Sequence, residues 1–180
     1  MNPSLLKKLV TLEGKSHLIT IDGVAGCGKT TLAGECEEFL RGQGFTVETI
    51  HMDDLYNGWA DALTASLTKK LNAIIEGFTS GIVTVDQYDW IKNTFIEPRI
   101  FISPDILILE GVGSGQKSIR NDVALSIWID MDARTAFERV ISRDGEGVRP
   151  YMNQWLMDQE AHFQAEGTRG AADYCIDGAP

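Results

Sequence analysis

Apolar residues recur along the chain at two spacings, and these separate strands from helices. The short apolar run at 18–21 has the size of a buried strand. Further strands are expected at 45–52, 105–111, 124–129 and 172–176, with a short one at 82–85. In the strand at 105–111, Ile106, Leu107, Ile108 and Leu109 stand in a row, as in a strand buried on both faces. Helical spacing links Leu5, Leu9 and Leu12, which predicts a short amphipathic helix over 4–12 that Gly14 ends. Leu32, Cys36, Phe39 and Leu40 share a face of a second helix, which begins after Lys29 and stops at the glycines of 41–44. Trp59, Leu63, Leu67, Leu71, Ile74 and Phe78 predict a long helix closed by Ser80 and Gly81. Trp59 belongs either to that core stripe or to the wall of a substrate pocket. A helix over 133–142 takes Asp130 or Asp132 as its cap. After a flexible break at 144–150, Pro150 opens another helix through Trp155, Gln159 and Phe163.

Strand, helix and strand follow one another closely in the first fifty residues. Such a unit is right-handed with parallel strands, and it brings the strand ends to one edge of the sheet. That edge receives Asp53 and Asp54 next to the turn after the first strand. Residues 82–104 read equally as a substrate-binding insertion or a surface loop.

The turn after the first strand carries the chemistry. Gly23-Val24-Ala25-Gly26-Cys27-Gly28-Lys29-Thr30 fits G-x-x-x-x-G-K-[ST], the phosphate-binding loop, in its required setting between a strand and a helix. Glycines let successive N–H groups turn inward around an anion, and the helix start adds its positive end. Lys29 reaches the β- and γ-phosphates of ATP, the Thr30 hydroxyl ligates Mg²⁺, and Thr31 completes the nucleotide-binding set. Glu110 closes a buried parallel strand, either as a second support for Mg²⁺ or as a solvated strand-end acid.

Charge narrows the partners. With 16 basic and 26 acidic side chains the formal net charge is −10, so broad attraction to nucleic acid or to an anionic membrane is not expected. The sequence holds no stretch long and apolar enough to span a bilayer and no signal-peptide core, which gives a cytoplasmic expectation. Cys27, Cys36 and Cys175 have no metal or C-x-x-C spacing. Cys27 is either a redox-active thiol or a small residue that fits the loop. His17, His51 and His162 belong to no metal motif and are expected to be structural or exposed. Arg139 and Arg143, four apart on one helix face, suggest a lid over 139–155 that closes on phosphates, against the alternative of a solvated charged helix.

Lys29, Thr30, Glu110, Asp53 and the arginines together suit phosphoryl transfer to a small molecule, where a carboxylate deprotonates the acceptor hydroxyl. A GTPase is disfavoured, because no Asn-Lys-x-Asp stretch occurs. A nucleotide-binding regulatory module would leave Asp53 and the arginines without a role. A monophosphate acceptor would call on Lys92 and Arg99.

The stretch from Ile21-Asp22-Gly23 to Thr31, the segment Asp53-Asp54-Leu55-Tyr56, residues 107–111 and Arg143-Asp144 resemble the uridine kinase-like branch of P-loop kinases. That branch includes nucleoside kinases, phosphoribulokinase and pantothenate kinase. The later stretch, from Arg143 through Trp155 and Glu160-Ala161-His162-Phe163 to Asp177-Gly178, is similar to short bacterial proteins of that kind. The resemblance implies an α/β fold of three layers, with a five-stranded parallel sheet ordered 2-3-1-4-5, helices on both faces and a small helical lid, all within one domain over 1–180. It implies Asp53 as catalytic base, Tyr56 at the acceptor, and Tyr88 and Asp89 near ribose hydroxyls. Lys29, Arg139 and Arg143 would complete the catalytic set. Trp59 and Glu110 join the acceptor side, and Thr30 and Glu110 the metal side. The implied reaction moves the γ-phosphate of ATP to a nucleoside hydroxyl, with another metabolite or a nucleoside monophosphate as the alternative acceptor.

Overall fold

The computed structural model describes residues 3–12 and 16–178. Gly14, expected to end the first helix, lies outside them. Helix α1 (Pro3–Val10) precedes β1 (His17–Gly23), α2 (Lys29–Gly42) and β2 (Val47–His51). Helix α3 (Ala65–Ser80) leads to a pair of strands, β3 (Ile82–Asp89) and β4 (Thr94–Ile102). Then come β5 (Ile106–Glu110), β6 (Val123–Asp130), α4 (Ala133–Asp144), α5 (Arg149–Glu166), the short α6 (Thr168–Ala171) and β7 (Tyr174–Asp177).

Five strands form one parallel sheet in the order β2-β5-β1-β6-β7. Counted along the chain without the β3–β4 pair, this is the expected 2-3-1-4-5 order. Alternation along the strands feeds two cores. Ile19, Ile21, Ile106 and Ile108 pack beneath α1 and α2 with Leu5, Leu9, Cys36 and Leu40. Leu107 and Leu109 face the other way, toward α3, α4 and α5 with Leu67, Leu71, Val140 and Trp155. All five residues of β5 are buried, as its unbroken apolar run requires. The two cores make the sheet the middle of three layers.

Local chemistry shifts several expected boundaries. The long helix starts at Ala65 and not at Trp59. Gly58 turns the chain at φ +71°, and the Asp61 carboxylate collects the Asn57 amide at 3.1 Å and the Thr64 hydroxyl at 2.7 Å. Thr64 then accepts the Ser66 N–H at 3.2 Å as the helix cap. Trp59 and Leu63 thus sit in the preceding turn and reach the core from there. Residues 82–102 form an antiparallel hairpin apart from the main sheet, so this region is an ordered insertion. Asp132, not Asp130, caps α4 by accepting the Thr135 N–H at 2.9 Å. Asp130 instead binds Arg169 at 2.7 Å. The expected flexible break is a 3-10 turn over Glu146–Val148 that runs into α5, held by Arg149 on Glu146 at 2.6 Å.

Candidate active site

The phosphate loop leaves β1 at Gly23 and enters α2 at Lys29. Gly26 sits at φ +88°, and a Cβ there would fall 2.2 Å from the Ala136 carbonyl oxygen. Only glycine lets the loop lie this close to the α4 backbone. Lys29 is buried, and its Nζ donates to the Gly23 and Val24 carbonyls, each at 2.9 Å. No carboxylate pairs with it among the described residues, so its charge is held over the loop without an ionic partner. Val24, Ala25 and Gly28 complete the turn, and Thr30 and Thr31 stand exposed on the first turn of α2. Cys27 is buried, and burial pushes its thiol upward. It is a packing residue and not an activated thiolate.

Glu110 ends β5 beside the loop and is 5% exposed. Its Oε1 accepts the Thr30 hydroxyl at 3.1 Å and meets His51 Nδ1 at 2.5 Å. His51 closes β2, and the sheet register sets it opposite Glu110. The hydrogen bond to this carboxylate raises the imidazole above its ordinary value. Sequence reasoning gave His51 no role. The signal was available, since two adjacent parallel strands end on His51 and Glu110.

Asp53 follows in the 3-10 turn after β2 (Met52–Asp54). It is open to the cleft, yet protein surrounds its carboxyl. Burial first, and then the Glu110 carboxylate, raise it above the usual range, against the opposing pull of Lys29 and Arg143. Asp54 is raised chiefly by burial as well. The structure therefore gathers Lys29, Thr30, Glu110, Asp53 and Arg143 around one edge of the sheet. Arg143 grips its neighbour Asp144 with two hydrogen bonds of 2.7 Å. Arg139 has a guanidinium nitrogen 3.7 Å from the Met131 sulfur.

Aromatic side chains wall the far side. Trp59 stacks on Tyr151 at 5.5 Å with the planes 13° apart. It also meets Trp90 at 5.3 Å and Trp155 at 5.7 Å edge-on. Trp90 donates its indole N–H to the Asp53 backbone carbonyl at 3.1 Å, which ties the hairpin to the acidic turn. Tyr88 packs against Trp90 and Phe95, both at 5.1 Å. Tyr56 is buried, and its hydroxyl donates to the Val112 carbonyl at 2.7 Å, so its ring lies behind the surface of the cleft. The Asp89 carboxylate accepts the Ile91 and Lys92 N–H groups at 3.0 and 2.9 Å and binds Lys92 Nζ at 3.0 Å.

Two more residues of this region went unmarked in the sequence. Gln159 of α5 is buried and accepts the Ala25 N–H at 3.1 Å. Asp22, one residue before the loop, is buried and accepts N–H groups from Gly23, Gly113 and Gly115. A polar residue on the apolar face of α5, beside Trp155 and Phe163, is the signal for Gln159, whereas Asp22 shares its face of β1 with Thr20 and gives no such signal.

No family model matches the chain. A stretch of 104 residues, 58% of the chain, is 27% identical to the inner tegument protein of varicella-zoster virus and covers 9% of that protein's length. Solved structures give fuller matches. A protein described as a possible uridine kinase from Bacillus stearothermophilus superposes with TM-score 0.71 at 22% identity, covering 97% of this chain and 96% of that one. A fructose transport system kinase from a Silicibacter species gives TM-score 0.57 at 18% identity, with 96% and 95% covered. Shikimate kinase from Bacteroides thetaiotaomicron gives TM-score 0.51 at 14% identity, with 90% and 86% covered. The chain has the fold of the uridine kinase-like P-loop kinases.

Proposed function

We propose that the chain is a small-molecule kinase that moves the γ-phosphate of ATP to a hydroxyl of an uncharged acceptor, a nucleoside in the first instance. The observation that carries this reading is Asp53, a carboxylate open to the cleft within the fields of Lys29, Glu110 and Arg143. A phosphate-binding loop alone serves any nucleotide-binding protein. A carboxylate with a raised affinity for protons facing it serves a reaction that removes a proton from an acceptor.

In this reading the phosphate loop and Lys29 hold the triphosphate. The acceptor hydroxyl oxygen attacks the γ-phosphorus, the bond to the β–γ bridging oxygen breaks, and the hydroxyl proton passes to Asp53. Arg143, released from Asp144, offsets charge on the transferring group. The segment 139–155, which carries Arg139 and Arg143, acts as the lid. The Thr30 hydroxyl and Glu110 carboxylate are hard oxygen donors 3.1 Å apart, a pair that fits Mg²⁺ beside nucleotide phosphates. Among the described residues no group of three or more His, Cys, Asp or Glu side chains converges on a metal, so these two would hold the ion together with the phosphates. When bound, Mg²⁺ neutralises phosphate charge.

The stacked wall of Trp59, Tyr151 and Trp90 suits a flat base, with Tyr88, Asp89 and Tyr56 behind it. Ion pairing argues against an acceptor that is already phosphorylated. Lys92 is paired with Asp89, and Arg99 is paired with Glu48 at 3.3 Å and lies 4.8 Å over the Phe101 ring. Among the described residues no helix is long and apolar enough to cross a membrane. A cytoplasmic enzyme working on ATP and a metabolite, without nucleic acid or membrane partners, is the setting this reading calls for. ADP release that depends on an added nucleoside tests it.

A further inference from the structure

A central parallel strand is ordinarily apolar on both faces. In β1 one face complies, with Ile19 and Ile21 under α1 and α2. The other face begins with Leu18 and then presents Thr20 and Asp22, each only 1% exposed. Both line a cavity of about 120 Å³ that continues past β6 to the chain around Thr168 and Asp173. That volume exceeds the space one buried water needs, about 10–15 Å³ on the same measure.

Oxygen-bearing side chains, Thr20, Asp22 and Thr168 among them, share the lining of this cavity with Val123, Ile127 and two alanines. Asp22 gives Oδ1 to the Gly23 N–H at 2.8 Å and Oδ2 to the Gly115 N–H at 2.9 Å, with the Gly113 N–H at 3.2 Å between them. Burial outweighs these bonds and the nearby Lys29 charge, which favour the ionised form, and pushes its carboxyl up to about 6. Thr168 is 4% exposed, and its Oγ1 has no hydrogen-bond partner among the described residues. A Cβ on Gly115 would fall 2.6 Å from Thr168 Cγ2 and 3.3 Å from Asp22 Oδ2, so both side chains pack against Gly115 and only glycine leaves room there. The mouth holds Asp173, whose carboxylate accepts the Ser126 N–H at 2.8 Å and its hydroxyl at 2.7 Å.

Charge selects the occupant. Two carboxylates, Asp22 and Asp173, stand against one guanidinium, Arg120, which leaves one negative charge in the lining. Arg120 spends its N–H groups on the Gly115 and Glu166 carbonyls, not on either carboxylate. Hydroxyl and carboxylate oxygens without His or Cys select a hard cation. The lining has too few acids for a divalent ion, in keeping with the lack of any three-acid cluster among the described residues.

We propose that this cavity binds a monovalent cation of sodium or potassium size between the Asp22 carboxylate and the Thr20 and Thr168 hydroxyls. Bound there, the ion holds Asp22 ionised. It thereby fixes the join between the root of the phosphate loop at Gly23 and the 113–115 turn after β5. The site lies at the root of the phosphate loop, and its occupancy does not depend on the kinase reading.

Thermal melting of the whole protein at pH 7.5 tests it, in potassium, sodium and choline chloride at equal ionic strength. The wild type melts higher in potassium or sodium than in choline, Thr168→Ser keeps that difference, and Thr168→Val loses it. Crystals of the wild type soaked in thallous acetate show an anomalous peak in the cavity next to Asp22. Identical melting in all three salts, a salt difference that survives in Thr168→Val, or a cavity without the thallium peak overturns the proposal and leaves a water-filled cavity. The wild-type soak decides even if a variant folds poorly.

Discussion

The side-chain carbonyl of Gln159 accepts the main-chain N–H of Ala25 at 3.1 Å across 134 positions of sequence. A helix of the candidate lid is thus bonded to the loop that holds phosphate. Gln159→Leu leaves a part-buried N–H without its partner, which costs about 1 kcal/mol. For a chain of this size that lowers the melting temperature by roughly 2–4 °C per kcal/mol. Gln159→Glu keeps the acceptor, so it melts closer to wild type, but its charge beside the loop weakens ATP binding measured by calorimetry. If Gln159→Leu melts like the wild type, the bond does not tie α5 to the loop.

His51 and Glu110 meet at 2.5 Å, and the bond raises the imidazole. A group whose folded value lies above its unfolded value stabilises fully below the unfolded value, and that contribution is lost as pH rises through the folded value. His51→Ala therefore destabilises more near pH 6 than near pH 9. The ring is 46% exposed, so solvent screening keeps the difference under about 1 kcal/mol. Denaturant melts of both proteins across that range measure it, and equal losses at both ends count against the charged pair.

Asp53 is raised by burial and by Glu110. A base must be ionised to accept a proton, so the acidic limb of kcat against pH lies above the ordinary carboxylate range. Glu110→Gln removes the second cause and moves that limb to lower pH. Residual turnover of the variant at saturating Mg²⁺ gives the profile, and an unmoved limb would assign it to another group.

Trp59 stacks on Tyr151 at 5.5 Å. Trp59→Ala removes a ring that an acceptor base would use, an interaction worth about 1–3 kcal/mol. Steady-state kinetics should show kcat/KM for the nucleoside falling about tenfold or more while KM for ATP stays near wild type. An equal change in both constants places Trp59 in the fold alone.

Much of this was legible in the residues themselves. The apolar run of β5 can bury both faces in only one way, and the glycine loop between strand and helix has few other uses. Parallel connection then placed Asp53 at the same edge without any contact being known. Helical spacing misled at Trp59, because Gly58 and the Asp61–Thr64 bonds outrank a periodic stripe. The hairpin over 82–102 stayed ambiguous because one of its faces carries exposed Ile82, Ile100 and Ile102, which blurs the alternation a strand usually shows. Gln159 stood out only as a polar residue in an apolar stripe, and Asp22 not at all, because their partners are backbone N–H groups, which leave no trace in side-chain patterns.

The central claim is that the loop's phosphate is given to an acceptor and that Asp53 takes the proton. The most direct measurement is ADP release by wild type and Asp53→Asn across a panel of nucleosides with ATP and Mg²⁺, alongside ATP affinity. The account predicts acceptor-dependent release by wild type, a loss of about 10²- to 10⁴-fold in Asp53→Asn, and ATP binding preserved in both. Wild-type release that no acceptor changes, or an Asp53→Asn enzyme that turns over normally, contradicts it.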